Sequence, residues 1–83
     1  MDYSVSYKKS VARDLRHLHK AEVRRIFNKI DKELSKNPEK YPLLTGSFAG
    51  LRKFRVGNYR VIFTLLDKQV IVLRIGHRKE VYR

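Results

Sequence analysis

Leu51 to Leu66 read LRKFRVGNYRVIFTLL. Two runs rich in aromatic and β-branched residues flank Gly57-Asn58, a pair that tolerates the positive φ angles of a tight two-residue turn, so the stretch predicts a β-hairpin. With that turn Val56 faces Tyr59, Arg55 faces Arg60, Phe54 faces Val61 and Lys53 faces Ile62, alternate pairs lying on opposite faces. Lys53, Arg55 and Arg60 then share one face. Two arginines directly opposite each other repel, so that face is either well solvated or meets an anion, and a polyanion is the natural candidate.

The composition agrees with that reading. At 83 residues, with 42% hydrophobic content, the chain predicts one small folded domain over residues 1–83. It has no cysteine, so neither a disulfide framework nor a thiolate metal site is available, which is compatible with a reducing cytoplasm. No apolar run approaches the roughly 20 residues of a membrane span, and MDYSVSYKKS lacks the apolar centre of a secretory signal. A cytoplasmic protein without a membrane partner is the expectation. Twenty Lys and Arg against eight Asp and Glu give a net charge of +12, which points to nucleic acid, an anionic membrane or an acidic protein. The first 50 residues hold 11 basic and 6 acidic side chains and the last 33 hold 9 and 2. The basic density therefore lies on predicted strands and a tail, whereas a membrane-surface protein would carry it on an amphipathic helix.

In chain order, Tyr3, Val5 and Tyr7 alternate with polar residues and predict a short strand. From about Lys9 the period becomes helical, with Val11, Leu15 and Leu18 marking a helix of some ten residues; His17 and His19 fall at its end without a metal-ligand pattern. Val23, Ile26, Phe27, Ile30 and Leu34 mark a second helix from about Ala21 to Lys36, stopped by Asn37-Pro38. In the connector EKYPLLTGSFAG, Leu43, Leu44 and Phe48 are expected to tuck against the helices. After the hairpin, Asp67-Lys68 makes a second turn and QVIVLRI reads as a central strand ended by Gly76. The fold class is α+β: an N-terminal strand, two antiparallel helices and a three-stranded antiparallel meander, forming a four-stranded sheet covered on one face. A two-residue Asp67-Lys68 turn would set Arg74 opposite Val61 on the covered face, so the arginine snorkels at the edge or the turn is longer.

LRKFRVGNYRVIF, VIVLRI and the ending GHRKEVYR resemble the RelE-type mRNA interferase toxins of the RelE/ParE superfamily, RVGNYR and HRKEVY being the most specific parts. The resemblance covers essentially the whole chain. It implies a RelE-like fold and a toxin that cuts mRNA in the ribosomal A site, beside ribosomal RNA, until a cognate acidic antitoxin inhibits it. It places the family's functional positions on Lys53, Arg55, Arg60, Arg78 and Tyr82, with His77 where several members also have histidine. No glutamate in the hairpin matches the one that some members carry near the centre of the site.

Cleavage by the substrate's own 2′-hydroxyl needs a base, an acid and a stabiliser of phosphorane charge, and no cofactor or metal. Arg55, Arg60 and Arg78 suit the third task, because a guanidinium stays charged and forks onto two phosphate oxygens. His77, Lys53 and Tyr82 remain for proton transfer, and Tyr82 can also stack on a base. The plain alternative for the hairpin cations is a solvated sheet face, and for Tyr82 it is packing of the tail. Two other functions stay open: a ParE-like DNA gyrase poison, which needs no acid-base set, and an inactive relative that binds RNA or the ribosome through charge.

Overall fold

The computed structural model describes residues 2–46 and 49–77. β1 (Ser4–Tyr7) leads into α1 (Lys9–Leu15) and α2 (Lys20–Lys29). α2 runs on through a π-helical turn, Ile30–Leu34, and a 3₁₀ turn at Pro38–Lys40 follows. β2 (Arg52–Val56), β3 (Tyr59–Leu66) and β4 (Gln69–His77) complete the chain. The sheet order is β1-β4-β3-β2. The last three strands are an antiparallel meander, as the sequence predicts, and β4 is central. β1 pairs with β4 in parallel, which is possible because the two helices supply the long crossover that parallel neighbours need.

The hairpin register is the expected one, from Val56 opposite Tyr59 to Lys53 opposite Ile62. Gly57 takes φ 59°, the positive value that glycine adopts without Cβ strain. Phe54, Val56, Val61 and Phe63 face the helices and join Val11, Ile26, Ile30, Leu34, Val70, Val72 and Ile75 in one core. Ile62 belongs to the opposite face yet is only 2% exposed.

Several details depart from the sequence reading. α1 ends at Leu15, because Arg16 to Leu18 turn the chain so that His19, with extended φ and ψ, can open α2. Leu18 still packs against the core. Leu43 is 57% exposed and bridges to Arg52 at the β2 edge. Tyr41 does the packing expected of the connector's leucines, meeting Phe54 and Phe63 edge-on at 4.9 and 6.3 Å between ring centroids. Phe48 lies outside the described residues. The Asp67-Lys68 turn is a two-residue turn, Leu66 pairing with Gln69, and Asp67 takes φ 57°, a conformation Asp accepts more readily than most residues. Arg74 nevertheless escapes the covered face, since the register shifts between Ile62 and Phe63: Phe63 pairs with Val72, Ile62 with Arg74, and Leu73 is the extra residue of a bulge. Ile75 thereby takes the place opposite Val61.

α1 finishes the β4 edge where β1 stops. Lys8 N–H donates to Val72 O at 2.9 Å, the last backbone bond along this edge. Ser10 Oγ then donates to Leu73 O at 2.6 Å. Asp14 Oδ2 accepts the Ile75 N–H and the Arg74 Nε–H, each at 2.9 Å, and Oδ1 accepts from Nη2 at 3.2 Å. That hydrogen bond raises the Arg74 pKa above its ordinary value. One carboxylate thus replaces a missing strand and neutralises the charge that the bulge turned outward.

Candidate phosphate-binding groove

Alternation along the hairpin puts Lys53, Arg55 and Arg60 on the side away from the helices, at the β2 edge of the sheet. There they line a groove of about 330 Å³ together with Glu33, Lys40 and Tyr41. The connector forms the facing wall. Arg52 holds it by donating Nη1 hydrogens to the Glu39 and Tyr41 carbonyls at 3.0 and 2.8 Å, and Lys53 N–H donates to Pro42 O at 3.3 Å. Lys40 Nζ sits 5.2 Å from the Tyr41 ring centroid. Burial first, and the Glu33 charge second, raise the Tyr41 pKa, so its hydroxyl stays a neutral donor.

Arg55 is exposed, while Arg60 and Lys53 are half-buried. Arg55 and Arg60 are directly paired across the ladder, so their guanidinium groups concentrate positive charge where a phosphate's oxygens can take hydrogen bonds from both. Glu33, missed by sequence reasoning, puts a carboxylate on the groove wall. It comes from the π-turn and is ion-paired with Lys29 at 2.9 Å. Its spacing of four from Lys29 reads as an ordinary solvated helix pair, and nothing in the sequence sends it toward the hairpin.

His77 lies elsewhere. It pairs with Tyr59 on the helix-facing side, the rings edge-on at 6.1 Å. It shares a pocket of about 240 Å³ with Asp14, His17, Leu18 and Arg74. One step along the strands Arg60 pairs with Gly76 and points to the other face. The structure therefore brings Lys53, Arg55 and Arg60 together and sets His77 in a neighbouring pocket around the end of the sheet. Arg78 and Tyr82 lie outside the described residues. Among the described residues no three His, Asp or Glu side chains cluster closely enough to hold a metal ion, and no helix is long and apolar enough to cross a membrane.

Comparison with known proteins agrees with the fold. Residues 5–82 match the family described as ParE toxin of the type II toxin–antitoxin system parDE. No curated protein is similar enough to match. Among solved structures, the toxin–antitoxin complex RelBE2 of Mycobacterium tuberculosis contains a chain that is 27% identical, with 94% of this chain and 100% of that one covered and a TM-score of 0.87. The archaeal RelE–RelB complex of Pyrococcus horikoshii has a chain 32% identical, with 98% and 100% covered and a TM-score of 0.71. A chain of the chromosomal ParDE system of Pseudomonas aeruginosa, 17% identical over 90% of this chain and 95% of that one, shares the fold with a TM-score of 0.73. With nearly its full length matched, the chain belongs to the ParE toxin family and is a type II toxin–antitoxin toxin of the RelE/ParE superfamily.

Proposed function

We propose that this toxin is an endoribonuclease that cuts mRNA in the ribosomal A site. The observation that carries the reading is the opposed pair Arg55 and Arg60 with Lys53 in one groove, a placement that opposes stability and suits a bound phosphate. In the proposed reaction a base removes the 2′-hydroxyl proton and O2′ bonds to phosphorus. The bond to the 5′-oxygen breaks as that oxygen gains a proton, leaving a 2′,3′-cyclic phosphate and a 5′-hydroxyl. Arg55 and Arg60 hold the phosphate oxygens and stabilise the phosphorane. Lys53, already in the groove, is the proposed base. Tyr82 is the candidate donor and Arg78 adds a further phosphate contact, whereas His77 faces the neighbouring pocket and orders the end of β4. With so few acid-base groups in the groove, positioning of the message by the ribosome supplies much of the rate.

Programmed ribosomes incubated with the toxin should yield mRNA ends at fixed codon positions. Arg60→Ala should lower single-turnover cleavage about 100-fold or more, equivalent to roughly 2.7 kcal/mol of transition-state stabilisation. Parental cleavage by that variant would remove Arg60 from the site. The ParE description of the matched family favours one second reading, a DNA gyrase poison. It predicts uncut ribosome-bound mRNA and DNA damage in cells. On either reading the +12 charge suits a cognate acidic antitoxin that binds with a salt-sensitive association rate.

A further inference from the structure

Phosphate chemistry in the hairpin groove employs its cations and leaves the ring of Tyr41 without a task. Tyr41 follows the 3₁₀ turn Pro38–Lys40 and lines the groove with Lys40, Lys53, Arg55 and Arg60. The ring packs edge-on with Phe54 and Phe63, and the Tyr41 carbonyl accepts a hydrogen bond from Arg52 at 2.8 Å. Ring and backbone are therefore both fixed. Phe54 also lines the groove but is only 3% exposed, whereas Tyr41 is half-buried, so among the described residues Tyr41 supplies the aromatic surface that the groove can reach. A cation already uses that surface. Lys40 Nζ stands over the ring, 5.2 Å from its centroid.

We propose that the Tyr41 ring is a stacking platform for an unpaired base of the message, beside the phosphate held by Arg55 and Arg60. The inference rests on the reading of this toxin as RNA-directed. A ring face that takes a cation can take the face of a base, and at an exposed site the cation contact is the weaker of the two. The base therefore displaces Lys40, whose ammonium swings on its flexible stem to an adjacent phosphate. Cations along a backbone beside an aromatic ring are the combination that holds single-stranded nucleic acid. At about 330 Å³ the groove falls in the lower range of small-ligand sites, which suits one nucleotide. A duplex hides the faces of its bases, so the platform selects unpaired RNA. Every base has such a face, so it does not select among the four.

The test uses a 2′-O-methyl trinucleotide, which cannot be cut because the attacking hydroxyl is blocked, with 2-aminopurine at its centre. Binding is followed by the quenching of 2-aminopurine on stacking, across a salt series, for the parent, Tyr41→Phe, Tyr41→Leu and Lys40→Gln, and circular dichroism checks the fold. The parent and Tyr41→Phe should quench alike. Tyr41→Leu should lose the quenching and bind about tenfold more weakly, with the parental salt slope because the phosphate contacts stay. Lys40→Gln should keep the quenching and lose roughly one from the slope of log affinity against log salt. Parental quenching in Tyr41→Leu overturns the proposal, and so does a parent that binds the probe without quenching; both leave the nuclease reading intact. Equal weakening in Tyr41→Phe and Tyr41→Leu overturns it as well, by assigning the contact to the hydroxyl. Should the leucine variant misfold, quenching by the parent and by Tyr41→Phe still decides. A parent that fails to bind the probe overturns the platform, and only if programmed ribosomes also stay uncut does the nuclease reading fall with it.

Discussion

Replacing Asp14 with alanine tests the claim that α1 completes the β4 edge. The Asp14 side chain is 12% exposed and accepts three hydrogen bonds, two from Arg74 and one from Ile75 N–H. Ile75 is fully buried, so its orphaned N–H should cost about 1–3 kcal/mol. Arg74 is 42% exposed and can turn to water, so the ion pair adds only about 0.5–1 kcal/mol. The sum, roughly 1.5–4 kcal/mol, is a large share of the stability of a domain this size, about 0.05–0.15 kcal/mol per residue. Thermal unfolding followed by circular dichroism should show Tm falling on the order of 10–20 °C. Arg74→Ala leaves Asp14 bonded to Ile75 and should cost no more than about 1 kcal/mol. Amide exchange at Ile75 should accelerate in Asp14→Ala and stay protected in Arg74→Ala. Equal losses in the two variants, with Ile75 protected in both, would refute the edge-completing role.

Three further outcomes follow from the fold. Gly57→Ala forces a Cβ onto a residue with φ 59° beside the Arg25 guanidinium, so stability should drop by about 1–2 kcal/mol; an unchanged denaturation midpoint would count against that turn. Burial, reinforced by Asp31, pushes the Tyr7 pKa up to about 12. In the unfolded chain tyrosine releases its proton near pH 10. Tyr7 therefore favours folding below about pH 10, and that contribution is lost as pH rises through its folded value. Melts between those limits should steepen, and Tyr7→Phe should flatten the trend. Arg55→Gln removes one of two opposed guanidinium groups, so at low salt Tm should rise slightly, by about 0.2–1 kcal/mol of stability. Inorganic phosphate should stabilise the parent more than this variant, and equal stabilisation would mean that Arg55 does not contact the anion.

Where period and turn chemistry agreed, the sequence was sufficient. The hairpin register followed from Gly57-Asn58 and the period-two pattern, and with it the shared face of Lys53, Arg55 and Arg60. The second helix followed from Val23 through Leu34, though the π-turn at Ile30–Leu34 did not; inserting one residue into a helical turn leaves no mark in the pattern of apolar positions on either side. Parallel pairing of β1 with β4 depends on how the crossover packs, and four residues of alternation say nothing of their neighbour. The bulge at Leu73 had a visible trace: Arg74 was a lone charge in an apolar strand and needed an anion, and Asp14 is the only acid between Met1 and Glu22 after Asp2. The signal was present, but pairing the two required knowing that α1 lies along β4.

The alternation that builds the core also builds the groove, and this links fold to function at the Gly57 turn. Phe54, Val56, Val61 and Phe63 face the helices, while the intervening Lys53, Arg55 and Arg60 face the groove. A slip of one residue in the pairing of β2 would exchange that strand's two sets, burying Lys53 and Arg55 and exposing Phe54 and Val56. Desolvating even one unpaired charge costs several kcal/mol, comparable with the whole stability of a chain this short, so the slipped register does not compete. The register of the cations is accordingly fixed by their apolar neighbours. That is why Arg60 can be replaced to test chemistry without unfolding the protein, and why the apolar pairs on the covered face hold Arg55 and Arg60 opposite each other.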